Sequence, residues 1–273
     1  YGFRPGRSAH DAVKAMQENA RKGKTWVVDI DISKFFDHVN HDILMHRIGQ
    51  RIRDKRVLRL IGKYLRRGAL MEGVVVRREE DTPQGGPLSP LLANIYLDAL
   101  DKELEKRRHA FCRYADDCNI YVASESSAKR VMAGMTAWIK KHLRLEVNEE
   151  KSGIGRVWER GFLGFRLNRK LEIEATAKSL KRFKRKVREL WRSCQSLRSE
   201  QLRDYWRAYM RGWWEYFKLA ENRRRIFVLE PWIRRHIRKC FWLRWHGVKG
   251  RTAALRRMGL RGRQLKVAHS GRG

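Results

Sequence analysis

Acidic residues are scarce in this sequence. Its 273 residues carry 30 Asp plus Glu against 63 Lys plus Arg, a formal net charge of +33. A folded chain with that surplus repels itself, so it is built to meet a polyanion, with nucleic acid ahead of a membrane surface. Long apolar runs are missing too: none approaches the roughly 20 residues that a membrane-spanning helix needs. Only four cysteines occur, Cys112, Cys118, Cys194 and Cys240, without Cys-x-x-Cys spacing. That argues against a zinc cluster or a disulfide framework and for a reducing compartment. The first residues read as the inside of a domain and not as a secretory leader, so a signal peptide is not expected. There is no internal repeat, no low-complexity tract and no linker rich in Pro, Gly or Ser. At 42% hydrophobic residues, the chain can still bury a core.

What is present is unevenly spread. From Thr176 to Gly273 there are 29 Lys plus Arg against 6 Asp plus Glu, and seven of the ten tryptophans. A boundary near residue 175 is expected, with 1–175 and 176–273 packed closely. In the first part, Ser8 caps a helix to about Arg21 with Asp11 at its third position. Thr25–Ile32 reads as a strand, Asn40 caps a helix to about Ile52, and Lys55–Arg67 reads as another. Ser89-Pro90 opens a helix to about Arg107 whose apolar face is Leu92, Ile95, Tyr96, Ala99 and Leu100. A further helix follows over Ser126–Leu143, then short strands at Leu143–Val147 and Phe162–Leu167, with Leu171–Glu174 pairing to the latter. The pattern is α+β, a two-layer sheet domain on the split βαβ plan. The second part reads as helices over Leu180–Trp191, Ser199–Leu219, Pro231–His246 and Arg251–Met258.

Between Phe111–Ala115 and Cys118–Ala123, two strand-like runs, sit Asp116 and Asp117 as a two-residue turn. Paired aspartates at a turn are ordinarily solvated, because Asp suits turns. Adjacent carboxylates are costly unless a cation neutralises them, and the hard cation for bare carboxylates is Mg²⁺. Val27-Val28-Asp29-Ile30-Asp31-Ile32 offers further acids, and carboxylates from two strands suit two-metal phosphoryl transfer. Alternation puts Asp29 and Asp31 on one strand face, opposite Trp26, Val28 and Ile30.

Four segments, taken in order, carry a resemblance: Tyr1-Gly2-Phe3-Arg4-Pro5-Gly6-Arg7-Ser8, Asp31-Ile32-Ser33-Lys34-Phe35-Phe36-Asp37, the stretch from Thr82-Pro83-Gln84-Gly85-Gly86 to Asn94, and Tyr114-Ala115-Asp116-Asp117. The set resembles the reverse transcriptases encoded by group II introns. Phe162-Leu163-Gly164-Phe165 is similar to the family's hairpin beside the primer terminus. The tail, with Tyr205-Trp206, Trp213–Phe217 and Trp232–Arg235, is similar to its maturase domain. The implied fold is a right-hand polymerase palm with partial fingers, an antiparallel sheet with packed helices, followed by an all-α thumb and maturase domain over 176–273. The motif set begins at the family's second region, so earlier finger segments are expected to be absent. With no His/Asn nuclease cluster among these residues, an endonuclease domain is not expected.

The resemblance implies roles. Asp31, Asp116 and Asp117 are the catalytic acids and, with the Ile32 carbonyl, hold two Mg²⁺. Asp29 rivals Asp31; the spacing to Phe36 favours Asp31, leaving Asp29 and Asp37 as structural or ion-paired acids. Phe36 is a steric gate that selects dNTPs, or a core residue beside Phe35. Gln84 and Gly85 let backbone approach template and nucleotide, or form an ordinary loop. Lys151 lies by the triphosphate, or is an exposed ion-pairing lysine. Arg4 contacts a phosphate, or makes a surface ion pair. In the basic helices Arg182, Arg185, Lys186, Arg211, Arg234 and Arg235 are candidates for RNA contact. The implied activity is RNA-directed DNA synthesis by an intron maturase, with intron RNA, a template–primer duplex and dNTPs as partners, in a bacterial cytoplasm or an organelle. The alternatives are a catalytically impaired fragment that only grips RNA, and a retron or CRISPR-associated lineage.

Overall fold

The structure, a computed structural model, describes residues 1–32, 38–66, 88–193 and 196–269. Phe36, Asp37, Gln84, Gly85 and Cys194 lie outside the described residues. The chain divides into two compact units, Tyr1–Glu172 and Ile173–Gly273.

The first unit contains α1 (Ala9–Arg21), β1 (Trp26–Ile30), α2 (His41–Gly49), α3 (Lys55–Arg66), α4 (Ser89–Lys106), β2 (Ala110–Tyr114), β3 (Asp117–Val122), α5 (Glu125–Leu143), β4 (Gly153–Arg156) and β5 (Phe165–Leu167). Four of its strands form an antiparallel sheet in the order β2-β3-β1-β4. Strand alternation sorts its side chains. Val28, Ile30, Cys118, Ile120 and Val122 face a core completed by Leu92, Tyr96, Leu97 and Leu100 of α4 and by Met135, Ile139 and Leu143 of α5. Inside that core the Tyr96 hydroxyl donates to the Leu143 carbonyl at 2.6 Å, which satisfies a carbonyl at the end of α5. The opposite face of β1 and β3 carries Val27, Asp29, Asp117, Asn119 and Tyr121, and α1 packs against β2 and β3. Helix α1 starts at a full capping box between Ser8 and Asp11, a local device that contributes ~1 kcal/mol.

Several expected boundaries move. Leu143–Val147 is not a strand: α5 runs to Leu143, Arg144 takes a left-handed φ of 51° at its C-cap, and only Val147 makes a bridge, to Ile32. In the Phe162–Leu167 segment, Leu163 (φ 52°) and Gly164 (φ 81°) form a tight turn, so the strand begins at Phe165. Phe162 and Phe165 exchange both backbone hydrogen bonds across it, at 2.8 and 2.9 Å, the pattern of a primed hairpin turn. Strand β4, Gly153-Ile154-Gly155-Arg156, was not expected.

The second unit contains β6 (Ile173–Ala175), α6 (Ala177–Ser193), α7 (Ser199–Phe217), α8 (Arg224–Phe227), α9 (Leu229–Arg244), α10 (Gly247–Arg257) and a 3-10 segment, Gly262–His269. The residue at 171 adopts φ 61°, which delays the start of β6 to Ile173. Its aromatic residues are largely core. Phe183, Val187 and Leu229 gather Tyr209, Trp213 and Trp232, and Leu202, Trp206 and Cys240 gather Trp191 and Phe241. Arginines and lysines on the outward faces of α6, α7 and α9 remain exposed.

Candidate active site

The acidic turn is shifted by one residue from the expectation. Tyr114 pairs with Asp117, so the two turn residues are Ala115 and Asp116, and Asp117 is the first residue of β3. Ala115 adopts a left-handed φ of 55°, a conformation costly for a residue with a Cβ unless its surroundings impose it. Three neighbours do so. The Arg113 guanidinium donates to the Ala115 carbonyl at 2.7 Å and to Asn94 Oδ1 at 3.0 Å. Asn94 in turn donates to the Gly2 carbonyl at 2.8 Å. Gly2 lies so close that a Cβ there would sit 2.9 Å from the Ala115 nitrogen and 3.1 Å from the Tyr114 ring. Only glycine fits that approach.

Arg113 is itself buried and forked onto Asp101, with both contacts at 2.6 Å. Arg4 reaches the same Asp101 carboxylate at 2.6 Å. Two guanidinium groups thus neutralise one nearly buried acid, the planar bidentate geometry that suits arginine. Arg4 therefore makes an ion pair, with a nearly buried acid and not the surface partner expected, while 40% of its side chain stays exposed.

On β1, Asp29 lies opposite Asn119 of β3. Continuing that register by two residues sets Asp31 opposite Asp117. Asp31 follows the end of the strand, and its backbone is held twice. Its N–H donates to Ser152 Oγ at 2.9 Å, and its carbonyl accepts from the Asn148 N–H at 2.9 Å. Lys151 Nζ lies 3.7 Å from Asp31 Oδ1, and both side chains are substantially exposed. Ile32 follows Asp31 and bridges to Val147.

Electrostatics couples these acids. Burial first, then the charges of Asp29, Asp116 and Asp31, pushes the Asp117 carboxyl up to about 7. Burial also pushes Asp29 up to about 6, against the opposing pull of Arg160 and with a further rise from Asp31. Both causes favour the neutral acid. Arg160 Nη1 is 3.6 Å from Asp29 Oδ2. It reaches there by lying across β4, where a Cβ on Gly155 would meet Arg160 Cγ at 3.1 Å.

Carboxyls raised by burial and by neighbouring acids, as those of Asp29 and Asp117 are, are the donor chemistry that a hard divalent cation relieves. As they stand, no three His, Cys, Asp or Glu side chains among the described residues converge into a metal-ligand cluster. The donor set fits Mg²⁺ in charge and hardness, and its side chains must close in to ligate.

The structure thus gathers Asp29, Asp31, Asp116 and Asp117 into one electrostatic group, with Lys151 at its edge and Arg4 on the brace behind the turn. Arg182, Arg185, Lys186, Arg211, Arg234 and Arg235 are all exposed on the second unit. Arg185 and Lys186 lie 3.5 and 3.6 Å from Glu189, and Arg234 lies 2.6 Å from Glu230. Sequence reasoning passed over Arg113, Asp101, Asn94, Ser152 and Arg160. Arg113, adjacent to the acidic turn, is the one with a local signal.

Comparison with known proteins follows the same division. The family described as Reverse transcriptase (RNA-dependent DNA polymerase) matches residues 1–167. The Group II intron, maturase-specific domain matches residues 180–259. The chain is 31% identical over 209 residues to Protein YkfC of Escherichia coli (strain K12), covering 62% of this chain and 55% of that protein. It is 42% identical over 113 residues to the group II intron-encoded protein LtrA of Lactococcus lactis subsp. cremoris, covering 41% of this chain and 19% of LtrA. It therefore spans about half of one relative and about a fifth of the other. A solved telomerase from Candida tropicalis, in complex with a TWJ fragment of telomeric RNA, superposes with a TM-score of 0.50 at 16% identity, covering 76% of this chain and 41% of that one. That is a likeness of fold.

Proposed function

Since the chain belongs to the reverse transcriptase family, we propose that it polymerises DNA on an RNA template and, through its second unit, grips group II intron RNA to assist splicing. The observation that carries this reading is the coupling of Asp117 to Asp116, Asp29 and Asp31 across neighbouring strands, within the region matched by the polymerase family. In this reading the four-stranded sheet and its helices are the palm, with part of the fingers, and the helices after residue 175 are thumb and maturase domain.

Asp31, Asp116 and Asp117, with the Ile32 carbonyl, would hold two Mg²⁺. Once bound, the ions would lower the pKa of the primer 3′-hydroxyl and neutralise the leaving pyrophosphate. The chain's own residues supply position and charge. Ser152 and Asn148 hold the Asp31 backbone in place. Arg113 fixes the turn that aims Asp116 and Asp117. Arg160 pulls Asp29 toward its charged form, against the larger effect of burial. Lys151, beside Asp31, would meet the triphosphate and hand a proton to pyrophosphate. Arg4 would leave part of its fork free for a phosphate. Phe36 would exclude a 2′-hydroxyl, and Gln84 and Gly85 would admit template and nucleotide. Arg182, Arg185, Lys186, Arg211, Arg234 and Arg235 would meet RNA phosphates. The compartment would be a bacterial cytoplasm or an organelle; no helix among the described residues is long and apolar enough to cross a membrane.

Primer extension on poly(rA)/oligo(dT) with Mg²⁺ and dTTP tests the polymerase reading, with Asp116→Ala expected to abolish product. Product that survives Asp116→Ala would place the chemistry elsewhere. The Phe36→Ala variant is expected to incorporate rNTPs, and unchanged sugar selectivity would remove Phe36 from the gate. A second reading is an RNA-gripping protein without polymerase activity, which the maturase-specific match over residues 180–259 would also fit. RNA binding without any extension would select it. The maturase-specific match favours an intron lineage over a retron or CRISPR-associated one.

A further inference from the structure

Far from the acidic turn, at the other end of the central sheet, the first unit has a cleft of about 430 Å³. Lys24 enters it from the loop before β1, Arg108 and His109 from the link between α4 and β2, and Ser127 and Arg130 from the first turns of α5. Strand β1 begins at this end and carries its acids at the other. At roughly 3.3 Å per residue, the two sites lie about 15 Å apart.

The lining is one-sided in charge. No carboxylate is among the described residues that line the cleft. Neither Lys24, Arg108 nor Arg130 has an ion-pair partner among the described residues, and Arg130 donates only to Ser127 Oγ at 3.3 Å. By contrast Lys22, Lys102, Arg107 and Lys129, on the flanking helices, are each paired with an acid one helical turn away. The cleft instead gathers three cations, unpaired among the described residues, around one concave surface. Arg108 takes a left-handed φ of 56° to turn out of α4 toward β2, a conformation unfavourable for a residue with a side chain. Burial, and then the charges of Arg107 and Lys24, hold the His109 imidazole below its ordinary pKa, which marks the region as crowded with positive charge. The amino end of α5 adds the positive pole of a 19-residue helix.

We propose that this cleft is a second phosphate-binding site, which seats the phosphodiester backbone of a bound RNA well away from the catalytic acids. Lys24, Arg108 and Arg130 supply the charge, and Ser127 and His109 supply hydrogen-bond donors. The proposal rests on the charge and shape of the cleft and not on polymerase activity, and its test does not use polymerisation.

The full chain carrying Lys24→Gln, Arg108→Asn and Arg130→Gln is compared with Lys14→Gln, Lys63→Gln and Lys170→Gln, which removes equal charge from exposed positions elsewhere. Asn tolerates the left-handed backbone at position 108. Binding of a labelled single-stranded RNA 20-mer is measured as a function of salt. Three lost phosphate contacts at about 0.7 each should flatten the slope of log K against log[salt] by about 2. Between about 50 and 200 mM salt, wild type then loses roughly 16-fold more affinity than the cleft variant. The control variant should keep most of the wild-type slope. Independently of any variant, the His109 ring protons of the wild-type chain are followed by NMR during titration with the same RNA and with inorganic phosphate. A shift with RNA alone, together with the flattened slope, assigns the site to the nucleic-acid backbone. A shift with both ligands assigns it to phosphate from either source. A His109 signal unmoved by both, or equal slopes in the two variants with no phosphate response, overturns the proposal.

Discussion

Arg113 donates to the carbonyl oxygen of Ala115 at 2.7 Å, so the left-handed residue of the acidic turn is held by a guanidinium that is itself forked onto Asp101. Position of the acids is thereby tied to a buried ion pair. Breaking a buried pair on one side leaves an unpaired charge and costs ~3–5 kcal/mol, whereas replacing both partners with apolar groups is often near neutral. The Asp101→Asn variant should therefore unfold at markedly lower temperature than wild type. Arg113→Met combined with Asp101→Leu should recover most of that loss. Activity should not recover, because Ala115 has lost its donor. A double variant with wild-type kcat and Mg²⁺ dependence in primer extension would show that the brace serves stability alone.

The Asp117 carboxyl is destabilised as an anion. Its pKa in the fold, about 7, lies above the ordinary 3.8. The stability held by its neutral form is therefore complete below about 3.8 and is lost as pH rises through 7. Without Mg²⁺, melting temperature should fall between pH 5 and pH 8, and Asp117→Asn should flatten the fall while abolishing extension. Adding Mg²⁺ to wild type should restore stability at pH 8, because the ion favours the charged form. Thermal scans at several pH values, with and without Mg²⁺, measure this. An Asp117→Asn chain as pH-sensitive as wild type would mean that Asp117 is not the strained group.

Gly2 admits the segment Tyr1–Arg4 against the turn, and a methyl group there would meet backbone rather than a flexible side-chain end. Gly2→Ala should push Tyr114 and Ala115 aside at a cost of ~1–3 kcal/mol. The displacement reaches Asp116 and Asp117, so kcat should fall at least tenfold, with dNTP KM changing less. Steady-state extension kinetics alongside a melting curve separate the two effects. Unchanged kcat would mean that the turn absorbs the shift without moving its acids.

Local signals made part of this legible beforehand. Ser8 with Asp11 marks a helix start by chemistry confined to four residues, and the structure has that capping box. The stripe Leu92, Tyr96 and Leu100 is buried on α4 as its spacing requires, with Ile95 and Ala99 packed beside it. The acidic hairpin was legible, but its register slipped. Asp is the better turn former, yet Arg113 with the sequence-distant Asn94 and Gly2 selects Ala115 for the left-handed position. Strand β4 was hidden because Gly153 and Gly155 weaken any strand signal; they are there to let Arg160 lie flat toward Asp29. Asp29 read as a bystander from its spacing to Phe36. In the fold it ranks ahead of Asp116 and Asp31 among the charges that raise Asp117, a relation set by strand pairing that no linear motif contains.

The six basic residues singled out on the helical unit fall into two groups. Arg185, Lys186 and Arg234 already have acid neighbours on their own helices. No ion pair with Arg182, Arg211 or Arg235 occurs among the described residues. Exposed pairs are worth only ~0–1 kcal/mol, but they partly neutralise the cation before RNA arrives. Replacing Arg182, Arg211 and Arg235 with Gln should therefore weaken RNA binding and flatten its salt dependence more than the same change at Arg185, Lys186 and Arg234. For a single strand the expected difference in slope approaches about 1 to 2. Fluorescence anisotropy with one RNA across a salt series reads it directly. Equal slopes for the two triple variants would mean that the local acids turn away from these helices when RNA binds, and that all six cations meet phosphate alike.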